Sequence, residues 1–175
     1  MRSITAIALV AAAVFAVALP LTAAADVYVG GNAANSRINE GAFDGHETGW
    51  KAYVGANLYR VLGVEAGYID FGSYGVENTG ANAWTPALTL GMPIGPINVF
   101  GKGGWAFADF KGTSVRQEAK DHDPFWGVGL RAGMSRGLGL RVEYERYRFD
   151  TADVDVGMAG LEYRFGGDPY FHPSY

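Results

Sequence analysis

The segment Leu140–Glu145, which reads LRVEYE, alternates apolar and charged residues at every position. Successive side chains of a β-strand point to opposite faces of its sheet, so this segment is predicted to be a strand with one apolar and one charged face. A strand of a soluble protein buries its apolar face, and this segment alone would permit that arrangement. The rest of the chain has to decide which face is buried.

Seven further segments show the same two-residue period. Four of them are clear: Gly49–Leu58, Ile97–Phe107, Trp126–Ser135 and Gly157–Phe165. Three are weaker: Asp26–Ala34 is short, Val64–Tyr68 is expected to change phase near Ile69-Asp70, and Asn82–Met92 contains Pro86. A central strand tolerates proline only at a bulge or distortion. Together with Leu140–Glu145, these segments predict eight strands.

The predicted connections alternate in length. Three are tight turns: Tyr59–Gly63, Pro93–Pro96 and Arg136–Gly139. Three are longer and polar: Asn35–Glu47, Ser73–Ala81 and Lys111–Asp123; a short connection follows around Asp150–Asp153. Short turns on one side and longer loops on the other are typical of outer-membrane barrels. The pattern therefore predicts an all-β, eight-stranded antiparallel up-and-down transmembrane β-barrel, with both of its ends on the short-turn, periplasmic side.

The N-terminal residues 1–25 are predicted to be a cleavable signal peptide. Arg2 precedes an apolar run, Ile4–Leu21, and Ala23-Ala24-Ala25 forms an A-x-A cleavage site. The alternative is a transmembrane helix, since the run approaches the ~18 apolar residues that spanning requires. The predicted organisation is a signal peptide at 1–25, an outer-membrane barrel at 26–165 and a short periplasmic tail at 166–175.

Composition narrows the classes of protein. Glycine accounts for 26 of 175 residues and aromatics for 14%, a combination typical of many strands joined by tight turns rather than of disorder. The mean hydropathy of +0.01 suits strands that alternate between apolar and polar residues. The net charge of −4 argues against a nucleic-acid partner, and the absence of cysteine excludes disulfides and thiolate-bound metals.

Aromatic and large apolar residues are expected to form two belts. Near the long-loop ends lie Trp50, Trp105, Phe107, Trp126, Tyr147 and Phe149; near the short-turn ends lie Leu58, Tyr59, Ile97, Tyr163 and Phe165. Anchoring at the two interfaces of a membrane requires such belts. They favour an apolar face turned to lipid and a charged face turned to the lumen, whereas a soluble barrel or sandwich remains the alternative. Eight strands leave a lumen just wide enough for side chains, so no broad pore is expected.

The final strand, Gly160–Phe165 (GLEYRF), resembles the C-terminal assembly signal of outer-membrane barrels. Together with Gly63–Tyr68, Leu90–Ile94 and Leu140–Tyr144, it makes the chain similar to the OmpA-like transmembrane domain family of small outer-membrane β-barrels. The resemblance implies that the barrel-assembly machinery recognises the last strand through Gly160, Tyr163 and Phe165. It also implies outer-membrane lipid and lipopolysaccharide as surroundings. The chain departs from the signal by continuing beyond Phe165.

The same resemblance implies charged side chains inside the lumen. Glu65, Lys102, Arg141 and Glu143 match lumen positions of the family, whereas Thr89 and Arg131 replace a lysine and a glutamate. A charge-swapping gate of the family type is therefore not expected. The predicted lumen charge network consists of Glu65, Lys102, Arg131, Arg141, Glu143 and Arg164. Buried charges must be paired, so mutual neutralisation is the expected role.

Four arrangements could support an enzyme or a metal site: His172-Pro173-Ser174, His46 with Asp44, Ser73 with Asp70, and His122 between Asp121 and Asp123. Polar loop or tail residues explain each of them, because geometry rather than spacing defines such sites. No catalytic residue, cofactor or metal site is therefore predicted. The leading hypothesis is a structural protein whose loops bind an extracellular ligand. A lipid A-modifying enzyme and a narrow gated ion pore are the alternatives.

Overall fold

The computed structural model describes residues 26–38, 46–58, 61–74, 79–111, 122–148 and 153–165. Eight strands form a closed antiparallel barrel in sequence order, and β1 pairs with β8 to close it. The strands are β1 (Asp26–Ile38), β2 (His46–Asn57), β3 (Leu62–Tyr74), β4 (Thr79–Ile94), β5 (Ile97–Lys111), β6 (His122–Ser135), β7 (Leu138–Arg148) and β8 (Asp153–Phe165). The predicted fold class is confirmed. The predicted signal peptide and tail lie outside the described residues.

The described segments contain no helix that is both long enough and apolar enough to cross a membrane.

The two ends of the barrel differ in how the strands are joined. One end carries the short turns, the first residue of β1 and the last residue of β8, and we call it the turn end. We call the opposite end the loop end. The β6–β7 turn consists of Arg136 and Gly137, whose φ angles of 50° and 84° are those a two-residue type I′ hairpin requires. The predicted turn Pro93–Pro96 is too long by two residues, because the turn contains only Gly95 and Pro96. β4 continues to Ile94, because Gly95 at φ 62° lets a two-residue turn close this hairpin.

The barrel buries charges and exposes apolar side chains. Leu90 on β4 is 63% exposed, whereas Arg141 on β7 is 0% exposed. Buried and more exposed positions alternate along the strands, so charged side chains such as Glu65, Lys102 and Arg141 point into the lumen. This distribution is the reverse of that in a globular protein, which almost never buries charges fully unless they are paired.

The predicted change of phase near Ile69-Asp70 is wrong. Ile69 and Phe71 lie on the same inward face of β3 as Glu65, and both are buried. They are apolar because the lumen itself becomes apolar towards the loop end. The irregularity comes later, where the β3–β4 register shifts between Asp70 and Ser73. There the Asp70 carboxylate accepts a 2.9 Å hydrogen bond from the Gly72 amide.

Pro86 distorts β4 without inserting a residue. The β4–β5 ladder lacks partners at Thr85 and Pro86, yet the register is the same on both sides of this gap. The opposite strand accommodates the proline through Gly104, since a Cβ there would lie 2.0 Å from the Pro86 carbonyl oxygen. The distortion expected at this proline is therefore confined to two residues.

Candidate functional site

The inward faces of seven strands bring together a network of ion pairs at the turn end and middle of the lumen. Arg141 is its centre. Its guanidinium lies 2.8 Å from a Glu65 oxygen, 2.8 Å from Glu143 Oε2 and 3.0 Å from Glu162 Oε2. The same group stacks on the Tyr53 ring at 4.1 Å. One cation is thus shared by three carboxylates and covered by an aromatic face.

The two lysines of the lumen bind the next acidic layer. Lys102 Nζ lies 2.7 Å from Glu143 and 3.2 Å from Glu65, and it also contacts Glu145. Lys51 Nζ lies 2.5 Å from Glu145. A residue nearer the loop end, Tyr147, donates its hydroxyl to the other Glu145 oxygen. The lysines and the glutamates therefore form a continuous network across β2, β3, β5 and β7.

Two arginines extend the network to the turn end. Arg164 on β8 lies 2.9 Å from Glu162 and 2.8 Å from Asp26 at the start of β1. Arg131 on β6 lies 3.3 Å from Glu162 and 3.7 Å from Glu65. The structure thus places all six residues of the predicted lumen network on inward faces and within one set of contacts.

Sequence reasoning left out four members of the network: Lys51, Glu145, Glu162 and Asp26. A charge count could have found them, because the six predicted residues comprise four cations and only two anions. Such an excess cannot be buried without compensation. Strand parity supplies three of the missing residues. Glu145 follows Arg141 and Glu143 on β7, Glu162 precedes Arg164 on β8, and Lys51 lies on the polar face of β2.

Glycines leave room for the large inward side chains. A Cβ on Gly129 would lie 2.5 Å from the Phe100 ring, and one on Gly55 would lie 2.3 Å from the Tyr28 ring. Phe100 in turn packs 4.1 Å below the Arg131 guanidinium. The high glycine content therefore serves the lumen as well as the turns.

The loop end of the lumen is filled by apolar side chains, which we call the loop-end cluster. Its members are Ala34, Ile69, Phe71, Ala83, Ala106, Phe125, Tyr147, Val154, Val156 and Met158. The Tyr147 ring stacks on Phe125 at 5.1 Å and meets Phe71 edge-on at 5.2 Å. Its assignment to the outer aromatic belt is therefore wrong, because Tyr147 has the strand parity of Glu145 and is 0% exposed.

The outer face carries aromatic side chains at both ends. Four predicted residues are exposed near the loop end: Trp50, Trp105, Phe107 and Trp126. Ring contacts add three residues that the sequence analysis does not assign to a belt: Tyr68 and Trp84, 5.0 Å apart, and Tyr144, 6.0 Å from Trp126. At the turn end, Tyr163 and Phe165 are exposed and 5.1 Å apart. Phe149 and Tyr59 lie outside the described residues.

The first residue of the predicted assembly signal, Gly160, lies on the inward face of β8. A Cβ at this position would lie 2.0 Å from the Gly31 carbonyl oxygen and 2.4 Å from the Asn32 side chain. Gly160 therefore allows β1 to approach β8 closely, whereas the aromatic residues of the signal lie on the opposite face.

Most of the catalytic candidates lie outside the part of the chain that the structure describes. His172-Pro173-Ser174, Asp44 and Asp121 lie outside the described residues. Asp70 is engaged at the β3 irregularity, and Asp123 is buried at the loop end of β6. Among the described residues, no group of three His, Cys, Asp or Glu side chains could hold a metal ion.

A family model for the outer membrane protein beta-barrel domain matches residues 5–165. The chain belongs to this family. The barrel accordingly lies in the outer membrane of the cell, and its exposed apolar face contacts lipid. Among proteins of curated function, none matches this sequence.

Solved outer-membrane barrels share the fold. Neisserial surface protein A superposes with a TM-score of 0.61 at 14% identity, over 79% of this chain and 97% of that one. Ail, the attachment invasion locus protein of Yersinia pestis, gives 0.56 at 15% identity, over 81% and 97%. OprG from Pseudomonas aeruginosa gives 0.55 at 13% identity, over 81% and 96%. At such low identity these likenesses concern the fold alone.

In the outer membrane, the two aromatic belts correspond to the two interfaces between lipid and water. Trp and Tyr side chains prefer the level of the lipid headgroups, so Trp126 and Tyr144 mark one interface and Tyr163 marks the other. Beside Tyr144, the Arg146 side chain is 33% exposed and forms a 2.6 Å ion pair with Asp155. This charged pair on the outer face lies on the loop-end side of the belt, where lipid headgroups and water replace hydrocarbon.

Proposed function

We propose that this outer-membrane barrel has a structural and surface-interaction role, that its lumen is closed and that it has no enzymatic activity. The observation that carries the proposal is the pairing of each described lumen lysine and arginine with a carboxylate, in a lumen whose loop end is filled by apolar side chains. Ions crossing the barrel would have to break these pairs and displace the loop-end cluster.

Energetics supports a role in stabilising the barrel. A buried charge without a partner costs several kcal/mol, and additional hydrogen bonds are needed to repay its desolvation. Glu143 shows the compensation, because it accepts hydrogen bonds from Asn32 at 2.7 Å, from Lys102 at 2.7 Å and from Arg141 at 2.8 Å. A network satisfied in this way holds seven strands to one another through their side chains.

We also propose that the loop end faces the cell exterior and binds an extracellular ligand, and that lipopolysaccharide surrounds this end. The Arg146–Asp155 pair beside Tyr144 supports the second part, because charged and aromatic side chains at one level suit the phosphates and sugars of a lipid headgroup layer.

The experiment combines two readouts on the full-length mature barrel folded into lipid. Single-channel recording is expected to show no steady current, and incubation with lipopolysaccharide is expected to release no acyl chain. Acyl release that disappears in His46→Ala would establish the enzyme instead.

A narrow gated pore is the second candidate function, and one observation favours it. Glu65 and Glu162 each contact both Arg131 and Arg141, so alternative pairings are available without a new partner. In the pore reading, the wild-type barrel conducts steadily and Glu65→Gln abolishes the current. The control, Asp155→Asn on the outer face, would conduct like wild type. No steady current in any of the three chains is the result expected here.

We further propose that the last strand is read by the barrel-assembly machinery through Gly160, Tyr163 and Phe165. The exposure of both rings at the turn end supports this, because they lie on the outer face beside the β1–β8 seam. Phe165→Ala is expected to slow assembly into vesicles containing the machinery several-fold, measured by the mobility of unboiled protein on a gel. Leu161→Ala, on the same face of β8, is the control. Equal slowing by both variants would contradict a specific signal.

A further inference from the structure

The apolar band on the outer face is not equally tall around the barrel. On β4, β5 and β6 the outward side chains are apolar or aromatic over ten positions of the strand: Trp84–Ile94, Ile97–Phe107 and Pro124–Met134. On four strands this apolar run covers only six positions: Val27–Ala33, Trp50–Ala56, Leu62–Tyr68 and Leu138–Tyr144. β8 is intermediate, with eight positions from Gly157 to Phe165. We call β4–β6 the tall side and the other five strands the short side.

The difference in height is large compared with the thickness of a membrane. A strand rises about 3.3 Å per residue and is tilted by about 40°, so ten positions cover roughly 25 Å along the membrane normal and six cover roughly 15 Å. The tall side therefore has the height of about 25 Å that outer-membrane barrels present to lipid. A tilt of the whole barrel cannot remove the difference, because the two ends of the run on one strand move together.

Polar groups end the apolar run on each strand of the short side. The next outward residue towards the loop end is polar or charged and is at least partly exposed: Asn35 on β1, Thr48 on β2, Asp70 on β3, Arg146 on β7 and Asp155 on β8. Charged side chains are costly to place in hydrocarbon. The boundary of the hydrocarbon is therefore expected to lie below these groups on the short side.

The charged pair on β7 and β8 is held at its level by hydrogen bonds. Arg146 donates from Nε to Asp155 Oδ1 at 2.6 Å and from Nη2 to Asp155 Oδ2 at 2.9 Å. The Tyr144 hydroxyl donates to the same Oδ1 at 2.7 Å. These bonds keep the guanidinium beside its own strand, whereas long cationic side chains near a membrane boundary otherwise extend towards water. Water and lipid headgroups must therefore reach down to the pair.

We propose that the barrel thins the outer membrane beside β7, β8 and β1, and that its partner on this side is a bilayer whose headgroups are drawn towards the midplane. A membrane-spanning surface that is shorter than the hydrocarbon can thin the bilayer at a modest cost per Å. The thinning has a direction, because β1 lies opposite β5 in a closed barrel of eight strands. This inference depends neither on a loop ligand nor on whether the lumen conducts ions.

The test measures the depth of nitroxide labels by electron paramagnetic resonance, and since the chain contains no cysteine, one introduced cysteine carries each label. Ala159→Cys on β8 lies six positions above Phe165, and Gly103→Cys on β5 lies six positions above Ile97. Both positions face outwards, and a Cβ at Gly103 would meet nothing closer than 3.9 Å. In dioleoylphosphatidylcholine vesicles, we expect the label at Ala159→Cys to collide with a water-soluble nickel complex at least about threefold more often than the label at Gly103→Cys, because the thinned bilayer brings water closer to it. The gel mobility of unboiled protein checks that each chain is folded.

A double variant and a thinner bilayer provide the controls. Arg146→Leu combined with Asp155→Leu lengthens the apolar run on the short side and leaves the lumen network intact, so it is expected to lower the accessibility at Ala159→Cys towards that at Gly103→Cys. In dilauroylphosphatidylcholine vesicles, whose hydrocarbon is thinner, the difference between the two labels is expected to disappear. Equal accessibility of both labels in the thicker vesicles would overturn the proposal. A difference that neither the double variant nor the thinner bilayer reduces would also overturn it, because it would not arise from the thickness of the membrane.

Discussion

Arg141 illustrates why a buried charge can persist in a barrel of this size. Its guanidinium is fully removed from water, contacts three carboxylates and lies 4.1 Å from Tyr53 and 4.6 Å from Phe100. The desolvation of one arginine is thus offset by several charge-assisted hydrogen bonds and two ring faces. The partners pay a similar penalty, and removing the arginine would leave all three of them short of a cation.

Arg141→Met is therefore expected to destabilise the folded barrel by about 3–5 kcal/mol, the usual cost of removing one partner of a buried ion pair. The measurement is reversible urea unfolding of the barrel in lipid vesicles. The matched control is Arg146→Met, which removes the same group from a partly exposed pair on the outer face and is expected to cost much less, because solvent screens exposed pairs.

The cost of Arg141→Met should be partly recovered by a second substitution. Arg141→Met leaves the lumen with one negative charge in excess, and Glu143 then has only Lys102 as a cation. Glu143→Gln in the same chain removes that excess charge, so the double variant is expected to be more stable than the Arg141→Met chain. Strict additivity of two destabilising effects would show that the two side chains are not coupled.

At the scale of the element, the alternation of side chains along β7 separates the lipid from the lumen. Leu138, Leu140 and Val142 face lipid, and Arg141, Glu143 and Glu145 face the lumen. Because the period of a strand is two, a register slip of one residue would expose three charges to hydrocarbon. The sequence therefore specifies the register of this strand strongly.

The depth of each outward residue can be tested on β7. Val142 is 53% exposed and lies between the two aromatic belts, whereas Leu138 lies at the turn end. Val142→Arg is expected to cost about 2–4 kcal/mol and Leu138→Arg about 0–1 kcal/mol, measured by unfolding in the same vesicles. Similar costs at both positions, or a larger cost at Leu138, would contradict the assigned depth.

Sequence reasoning predicts an element well where its two faces differ in polarity. β7 and β8 alternate apolar with charged residues, and the structure assigns their faces as expected. β3 misleads at Ile69 and Phe71 because the lumen becomes apolar towards the loop end while the outer face carries Asp70. The polarity of the two faces is therefore inverted there, although the parity of the strand is unchanged. Tyr147 is misassigned for a related reason. Its position along β7 places it near the loop end, but it has the same parity as Glu145 and therefore faces the lumen.

At the scale of the whole molecule, the closure of the sheet into a barrel is predictable from the sequence. The side chains that fill the lumen are predictable only in part. In hydrocarbon an unpaired sheet edge costs several kcal/mol per backbone group, so eight membrane strands must close. Which carboxylate neutralises which cation depends on three-dimensional neighbours, such as Lys51 and Glu145, that are 94 residues apart. Single-strand patterns contain no information about such pairs. A count of charges on the inward faces does, because the total has to approach zero.

The seam between β1 and β8 has a consequence for the order of events in the cell. Val27 pairs with Phe165, and Asp26 lies 2.8 Å from Arg164, 138 residues further along the chain. β1 therefore has no neighbour on that side until β8 has been synthesised and exported. Contacts between residues so distant in the chain are slow to form, because a long loop must be closed before they are made. Until then, the polypeptide crossing the periplasm carries two exposed strand edges, and escort proteins that cover them would prevent aggregation.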